Sequence, residues 1–221
     1  GFSEYVYPPE ENVYHIADSL DLEDAAFAEP LSCAIHGMDL LQIASGKHVV
    51  MYGMGAIGSL MLQLIGLTGA REIIVVEREE EKRKLALELG ATRAVTDTEI
   101  EAIASEKNMD YVIECIGLKK TMEQAIHIAG KNGKVLLFGL GDPDQPVAFN
   151  QFEAYTKEVS IYTSYLNPRT TERAVALLES GAIQTRNIIS AELSLEEMGE
   201  ELKTQTYARK GKVMVSLSGK H

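Results

Sequence analysis

The sequence has 221 residues, of which 45% are hydrophobic and 24% are charged, and its formal net charge is −12. This length and composition predict a globular chain with a sizeable core, in one large or two small domains. The negative charge argues against nucleic acid and anionic membranes as partners, because both require a positive protein surface. Its two cysteines, Cys33 and Cys115, lack metal-binding spacing. We interpret them as reduced thiols, which predicts a cytoplasmic protein.

The first part of the chain shows short alternating patterns and then a helical one. Residues 1–22 alternate apolar and polar side chains around Pro8 and Pro9, which predicts short strands and turns. A helical pattern begins at Leu22. Pro30 is predicted to separate a short helix from a longer one over residues 31–43.

Residues 47–77 are predicted to form a strand, a helix and a second strand. A glycine-rich turn with the spacing Gly-x-Gly-x-x-Gly joins the first strand to the helix. In this pattern the first glycine makes a tight turn, the second lets a pyrophosphate approach, and the third lets helix and strand pack closely. The helix N-terminus attracts the phosphates. The predicted contacts are Gly53, Met54, Gly55, Ala56, Ile57 and Gly58.

An acidic residue, Glu77, closes the second predicted strand about 20 residues after the turn, where a carboxylate accepts hydrogen bonds from the adenosine ribose. It favours NAD, because a carboxylate repels the 2′-phosphate of NADP. Arg78 follows directly and could neutralise that phosphate, so NADP stays the alternative. A glycine-rich turn that serves packing alone is the other interpretation of the motif.

Strands and helices continue to alternate as far as Tyr165, which predicts an α/β fold with a doubly wound parallel sheet of the Rossmann type. Ligands bind beyond the carboxyl ends of the strands in such sheets. Two further loops should therefore face the cofactor, with the residues Cys115, Ile116, Gly117, Gly139, Leu140 and Gly141. Beyond the sheet we expect a helix over residues 167–182, a strand over 188–193, a helix capped by Ser194 and a final strand.

The chain resembles the medium-chain, zinc-dependent alcohol and polyol dehydrogenases. The motifs that carry the resemblance are FAEPLSCAIHGM, GMGAIGSLMLQLI, VVEREEEKRKLALELGA, VIECIG, GKVLLFG and GKVMVSL. The segment SYLNPRTTERAVALLESG is most similar to the sorbitol- and arabitol-phosphate-type branch, with threonine dehydrogenase close by.

The resemblance implies a division of the chain. Residues 31–166 would be the NAD-binding Rossmann domain, residues 1–30 a remnant of a GroES-like catalytic β domain, and residues 167–221 a segment that returns to that domain. The family's zinc ligands lie upstream of these residues. We therefore expect a longer protein, in which zinc would activate a secondary alcohol of a polyol or polyol phosphate for hydride transfer to NAD, while this chain alone would be inactive.

Two residues take an expected role from the resemblance. Glu29 matches a family position beside zinc or its bound water, although a structural acid before Pro30 is an equal alternative. Lys82 stands where polyol dehydrogenases often carry an arginine against the adenine, and a lysine cannot stack in the same way.

The sequence is compatible with two other functions. They are a stand-alone NAD-binding or redox-sensing module and a zinc-free, quinone-reductase-like member of the superfamily. The strand from Val159 to Tyr165 is rich in β-branched and aromatic residues and is predicted to lie at the edge of the sheet. Because exposed edges pair with other chains and family members pair this one, we expect a homodimer or homotetramer that acts on a small-molecule substrate.

Overall fold

The computed structural model describes residues 2–3, 5–204 and 211–217. Its main sheet has six parallel strands in the order β3-β2-β1-β4-β5-β6. This is the strand order of the Rossmann fold, so the predicted α/β class is confirmed. The strands are β1 His48–Tyr52, β2 Glu72–Val76, β3 Arg93–Val95, β4 Tyr111–Glu114, β5 Lys134–Leu137 and β6 Ser160–Thr163.

Nine α-helices are found in the described residues: α1 Leu22–Ala25, α2 Ala28–Leu41, α3 Ala56–Gly66, α4 Glu80–Glu88, α5 Ile100–Glu106, α6 Lys119–Ile128, α7 Gln151–Lys157, α8 Thr171–Glu179 and α9 Leu195–Thr204. Two further strands, β7 Ile189–Ser194 and β8 Lys212–Ser216, form a separate parallel pair. None of the helices in residues 2–3, 5–204 and 211–217 is long and apolar enough to cross a membrane.

Side chains of each central strand alternate between two apolar cores, one on each face of the sheet. In β1, Val49 and Met51 belong to the core that contains residues of α2, α3 and α8. Val50 and Tyr52 belong to the opposite core, together with residues of α5 and α6. Because successive strand residues point to opposite faces, a fully apolar run is the pattern of a strand covered on both sides.

Pro30 does not divide a helix as predicted. The break lies at residues 26–27, and Pro30 is in the first turn of α2. Its missing N–H costs nothing there, because the first N–H groups of a helix have no partner within the helix. The Ser194 cap is confirmed: its hydroxyl accepts a hydrogen bond from the Glu197 N–H at 3.1 Å, and the Glu197 carboxylate accepts one from the Ser194 N–H at 2.7 Å.

One other expectation about local structure was wrong, and one helix was not predicted. The described residues before α1 contain one 3₁₀ turn, Glu10–Asn12, and none of the predicted strands. Helix α7, which begins after Asn150, was not predicted from the sequence. The Asn150 side chain accepts a hydrogen bond from the Glu153 N–H at 3.2 Å and caps this short helix.

Candidate dinucleotide site

The candidate site lies at the carboxyl ends of β1 and β4, which are neighbours in the sheet. The helices that follow them, α3 and α6, contribute to the cores on opposite faces. The loops after these two strands therefore diverge and leave a crevice between them. This is the topological position at which doubly wound sheets bind their ligands.

The glycine turn adopts a geometry in which each glycine has a different environment. Gly53 has a φ of +94°, which strongly favours glycine in this tight turn. A Cβ atom at Gly55 would have no heavy atom within 4 Å, so the space in front of it is open. A Cβ atom at Gly58 would lie 2.1 Å from the Gly53 carbonyl oxygen, so helix and turn are in direct contact.

The N-terminus of α3 is open to an anion. Gly55 is its N-cap residue, and no side chain caps the helix there. Ala56 and Ile57 form the partly exposed first turn of the helix. The N–H groups and the positive end of the helix dipole thus meet the open space in front of Gly55.

Glu77 follows β2 directly and is 8% exposed. One carboxylate oxygen accepts a hydrogen bond from the Met54 N–H at 2.9 Å, and the other accepts one from the Glu79 N–H at 3.0 Å. The carboxylate therefore joins the glycine turn to the loop after β2. Each oxygen keeps a second lone pair, which a ribose hydroxyl can use.

The basic residues after Glu77 differ in what they contact. Arg78 is exposed. The Lys82 ammonium donates to the Glu79 carboxylate at 2.9 Å, which lowers the pKa of Glu79. The Arg83 guanidinium, which was not among the predicted site residues, donates to the main-chain oxygens of Glu77 and Arg78 at 2.9 Å and 2.7 Å. Arg83 therefore holds the backbone of this loop.

A cleft of about 340 Å³ opens beside the glycine turn. Gly55, Ala56 and Lys82 line it from the side of the sheet, whereas Asn187 and Lys212 line it from the β7–β8 segment. Its volume lies within the usual range of small-molecule sites. Asn187 and Lys212 are far from the turn in sequence, so no local pattern could have indicated them.

The loops after β4 and β5 lie against each other and against the glycine turn. A Cβ atom at Gly53 would meet the Ile116 side chain at 2.7 Å, and one at Gly117 would meet the Leu140 carbonyl oxygen at 2.4 Å. Gly139 packs on the Gly117 backbone in the same way, while Gly141 has the Met122 side chain as its neighbour. The structure thus brings the three predicted loops together.

Cys115 does not have the environment of a nucleophile. Burial, together with the negative charge of the neighbouring Glu114, raises the pKa of the Cys115 thiol. A protonated thiol is a poor nucleophile, so no nucleophilic role is assigned to Cys115.

Glu29 lies in the first turn of α2 and is exposed. Its carboxylate accepts a hydrogen bond from the Cys33 thiol at 3.4 Å. Burial and this contact raise the pKa of Cys33 to about 11. Throughout the described ranges, no group of three or more His, Cys, Asp or Glu side chains is arranged to hold a metal ion.

Comparison with known proteins gives a family match. The sequence profile described as zinc-binding dehydrogenase matches residues 56–180. Among curated proteins, D-arabinitol dehydrogenase 1 of Uromyces fabae is 28% identical over 211 residues, which cover 91% of this chain and 60% of that protein. The chain spans 50 to 60% of the length of the first curated relatives that it matches.

Comparison with solved structures also finds dehydrogenases. A candidate zinc-binding dehydrogenase of Sinorhizobium meliloti 1021, bound to NADP, superposes with a TM-score of 0.90 at 34% identity, over 97% of this chain and 65% of that one. Galactitol-1-phosphate dehydrogenase of Escherichia coli superposes with a TM-score of 0.85 at 26% identity, over 96% and 66%.

Proposed function

Because this chain belongs to the zinc-binding dehydrogenase family, we propose that it is the nicotinamide-dinucleotide-binding part of an alcohol dehydrogenase. The whole enzyme oxidises a secondary hydroxyl of a polyol or a polyol phosphate. The named relatives that act on arabinitol and galactitol 1-phosphate support this substrate class.

One observation carries the proposal about the cofactor. The uncapped N-terminus of α3 faces open space at Gly55, and the Glu77 carboxylate is fixed beside it by the Met54 N–H. An anion-binding helix end next to a ribose-binding acid is the arrangement that a dinucleotide requires. Glu77 favours NAD, whereas NADP is the alternative.

The residues of this chain bind and orient the cofactor. The turn from Gly53 to Gly58 would hold the pyrophosphate, and Glu77 would hold the adenosine ribose. The nicotinamide end would lie over the loops after β4 and β5, where Ile116 and Leu140 are 43% and 95% exposed. When bound, the nicotinamide supplies a hydride acceptor, and the apolar surface beneath it would keep water from the face of the ring that lies on the loops.

Zinc is proposed for the whole enzyme, on the grounds of family membership. The described residues do not fit a complete zinc site, and no step of catalysis is assigned to a metal held by this chain. Of these residues, Glu29 is the one proposed to lie beside the metal, through its exposed carboxylate.

We also propose a homodimer, or a tetramer built from such dimers, joined at β6. This strand is the last in the sheet, and Ile161 on it is 37% exposed. A hollow of about 730 Å³ next to it is lined in part by Phe149, Tyr155 and Ile161. An apolar surface beside an open strand edge favours pairing with a second copy.

The free thiols Cys33 and Cys115 support a cytoplasmic location.

The cofactor site is tested with Gly55→Val in the full-length protein. The valine has space and a compatible backbone, since φ is −74°, so the melting temperature should stay unchanged. Its side chain would occupy the place of the pyrophosphate, and we expect NADH binding to weaken at least about tenfold. Gly66→Val, at the exposed end of the same helix, is the matched control.

The substrate class is tested separately by incubating the full-length protein with D-arabinitol, D-sorbitol or galactitol 1-phosphate and either NAD or NADP. Formation of the reduced cofactor with at least one of them is the expected result. Binding of NADH without oxidation of any polyol would overturn the substrate class alone. Failure to bind either reduced cofactor would overturn the whole proposal.

A further inference from the structure

Glu114 lies beneath the proposed nicotinamide site and is fully buried. It is the last residue of β4, directly before Cys115. A carboxylate is costly to bury unless its oxygens are hydrogen-bonded. The groups that donate hydrogen bonds to the Glu114 carboxylate therefore indicate its role.

The Glu114 carboxylate accepts hydrogen bonds from three groups that follow it in sequence. One oxygen accepts from the Ile116 N–H at 3.0 Å, the Gly117 N–H at 3.0 Å and the Thr121 hydroxyl at 2.7 Å. The second oxygen accepts from the Gly117 N–H at 3.1 Å. Neutral donors of the loop and of the first turn of α6 therefore hold the carboxylate.

The main chain of Glu114 connects the same loop to the next one. Its carbonyl oxygen accepts hydrogen bonds from the Phe138 and Gly139 N–H groups, both at 2.9 Å. A Cβ atom at Gly139 would lie 2.7 Å from the second carboxylate oxygen. Glu114 thus lies at the junction of the loops after β4 and β5 and fixes both.

This arrangement has a consequence at the surface. Glu114 accepts a hydrogen bond from the Ile116 N–H, and the Ile116 side chain lies against the glycine turn at Gly53. The adjacent Gly117 has a φ of +87° and packs on Leu140, which is almost fully exposed. Glu114 therefore controls where Ile116 and Leu140 stand relative to the turn.

We infer that Glu114 is a positioning residue for the nicotinamide half of the cofactor. The inference rests on the proposed function, since it needs a dinucleotide in this crevice. Because Glu114 is fully buried, it would not touch the cofactor itself. It holds the apolar contacts Ile116 and Leu140 in place, whereas the adenosine half depends on Glu77 and the helix N-terminus.

The test compares two ligands, NADH and ADP-ribose, which lacks the nicotinamide. Glu114→Gln keeps the size of the side chain but turns one acceptor into a donor that faces the Gly117 N–H. We expect NADH binding to weaken roughly tenfold, the effect of about one unsatisfied buried group, while ADP-ribose binding changes less than about twofold. Isothermal titration of the full-length protein measures both.

Glu72→Gln is the matched control. Glu72 is also a buried strand carboxylate, 9% exposed, but it lies at the first residue of β2 and pairs with Lys107 at 2.7 Å. It should leave the affinities for both ligands unchanged. Should Glu114→Gln fail to fold, Thr121→Val carries the test: it removes one donor to the carboxylate, and we expect a loss of roughly threefold for NADH alone.

The two affinities together distinguish a positioning role of Glu114 from a general role in folding. An equal loss for NADH and ADP-ribose would show that Glu114 supports the fold as a whole and would overturn the inference, as would unchanged NADH binding. If the unmodified protein binds neither of these ligands and does not bind NADPH either, the proposed function itself fails. If it binds both ligands and Glu114→Gln spares both, only the positioning role fails.

Discussion

A Cβ atom on Gly58 would lie 2.1 Å from the carbonyl oxygen of Gly53, and 2.9 Å from its carbonyl carbon. Helix α3, which follows β1, therefore begins in contact with the turn that precedes it. This contact sets the direction of α3 and with it the position of the N–H groups that meet the pyrophosphate. Gly58, the third glycine of the motif, therefore affects ligand binding through the packing of α3 on the turn.

Gly58→Ala should separate the helix from the turn. We expect a loss of about 1–3 kcal/mol in the free energy of unfolding, because backbone atoms cannot move aside as a flexible side chain can. NADH binding should weaken as well. Gly66→Ala in the same helix meets nothing within 4 Å and should stabilise by about 0.5–1 kcal/mol. Denaturant unfolding measures both variants, and an unchanged Gly58→Ala protein would contradict the packing role.

Glu77→Gln should change the choice between NAD and NADP. The carboxylate is held beside the glycine turn by the Met54 N–H, so its charge is fixed near the proposed ribose position. Removing that charge should lower the preference for NADH over NADPH by roughly tenfold. Titration with both reduced cofactors measures the ratio. Glu80→Gln, at an exposed carboxylate three residues on, should leave it unchanged. Equal weakening for both cofactors would mean that Glu77 only supports the turn.

Asp110→Asn should destabilise the protein in a pH-dependent way, far from the cofactor crevice. Burial acts to raise the pKa of Asp110, but hydrogen bonds from the His48 N–H, Lys47 and Asn108 outweigh it and leave the pKa lowered. A lowered pKa contributes stability above the unfolded-state value of about 4, and this contribution is lost as the pH falls through the folded-state value.

We therefore expect Asp110→Asn to cost about 1–2 kcal/mol at neutral pH, with the difference from the unmodified protein shrinking below about pH 4. Asp18→Asn, at an exposed position, is the control. Chemical denaturation across this pH range measures the effect, and a pH-independent difference would contradict it.

Ile161→Lys should disrupt the proposed dimer, because a charge on the last strand opposes pairing with a second copy. Leu87→Lys is a matched control: Leu87 is 51% exposed on α4 and lies away from β6. Sedimentation at micromolar concentration should show a smaller assembly for Ile161→Lys only. A monomeric unmodified protein would refute the dimer.

The sequence by itself determined the sheet, because apolar runs such as that of β1 occur where both faces of a strand are covered. The spacing of Gly53, Gly55 and Gly58 likewise indicated the turn, since the constraints on a glycine motif are local. Helix boundaries were less certain. The prediction that Pro30 separates two helices was wrong, because a proline is acceptable in the first turn of a helix as well as at a break between helices.

Only the tertiary structure showed that Lys212 shares a cleft with Gly55 and that Glu114 joins two loops. Lys212 reaches the cleft because β8 pairs with β7, a long-range contact that leaves no periodic pattern in the sequence. Glu114 was visible only as an acid at the end of an apolar strand. Whether such a carboxylate faces solvent or a neighbouring loop depends on the loops that fold around it, and here their N–H groups stabilise it in the interior.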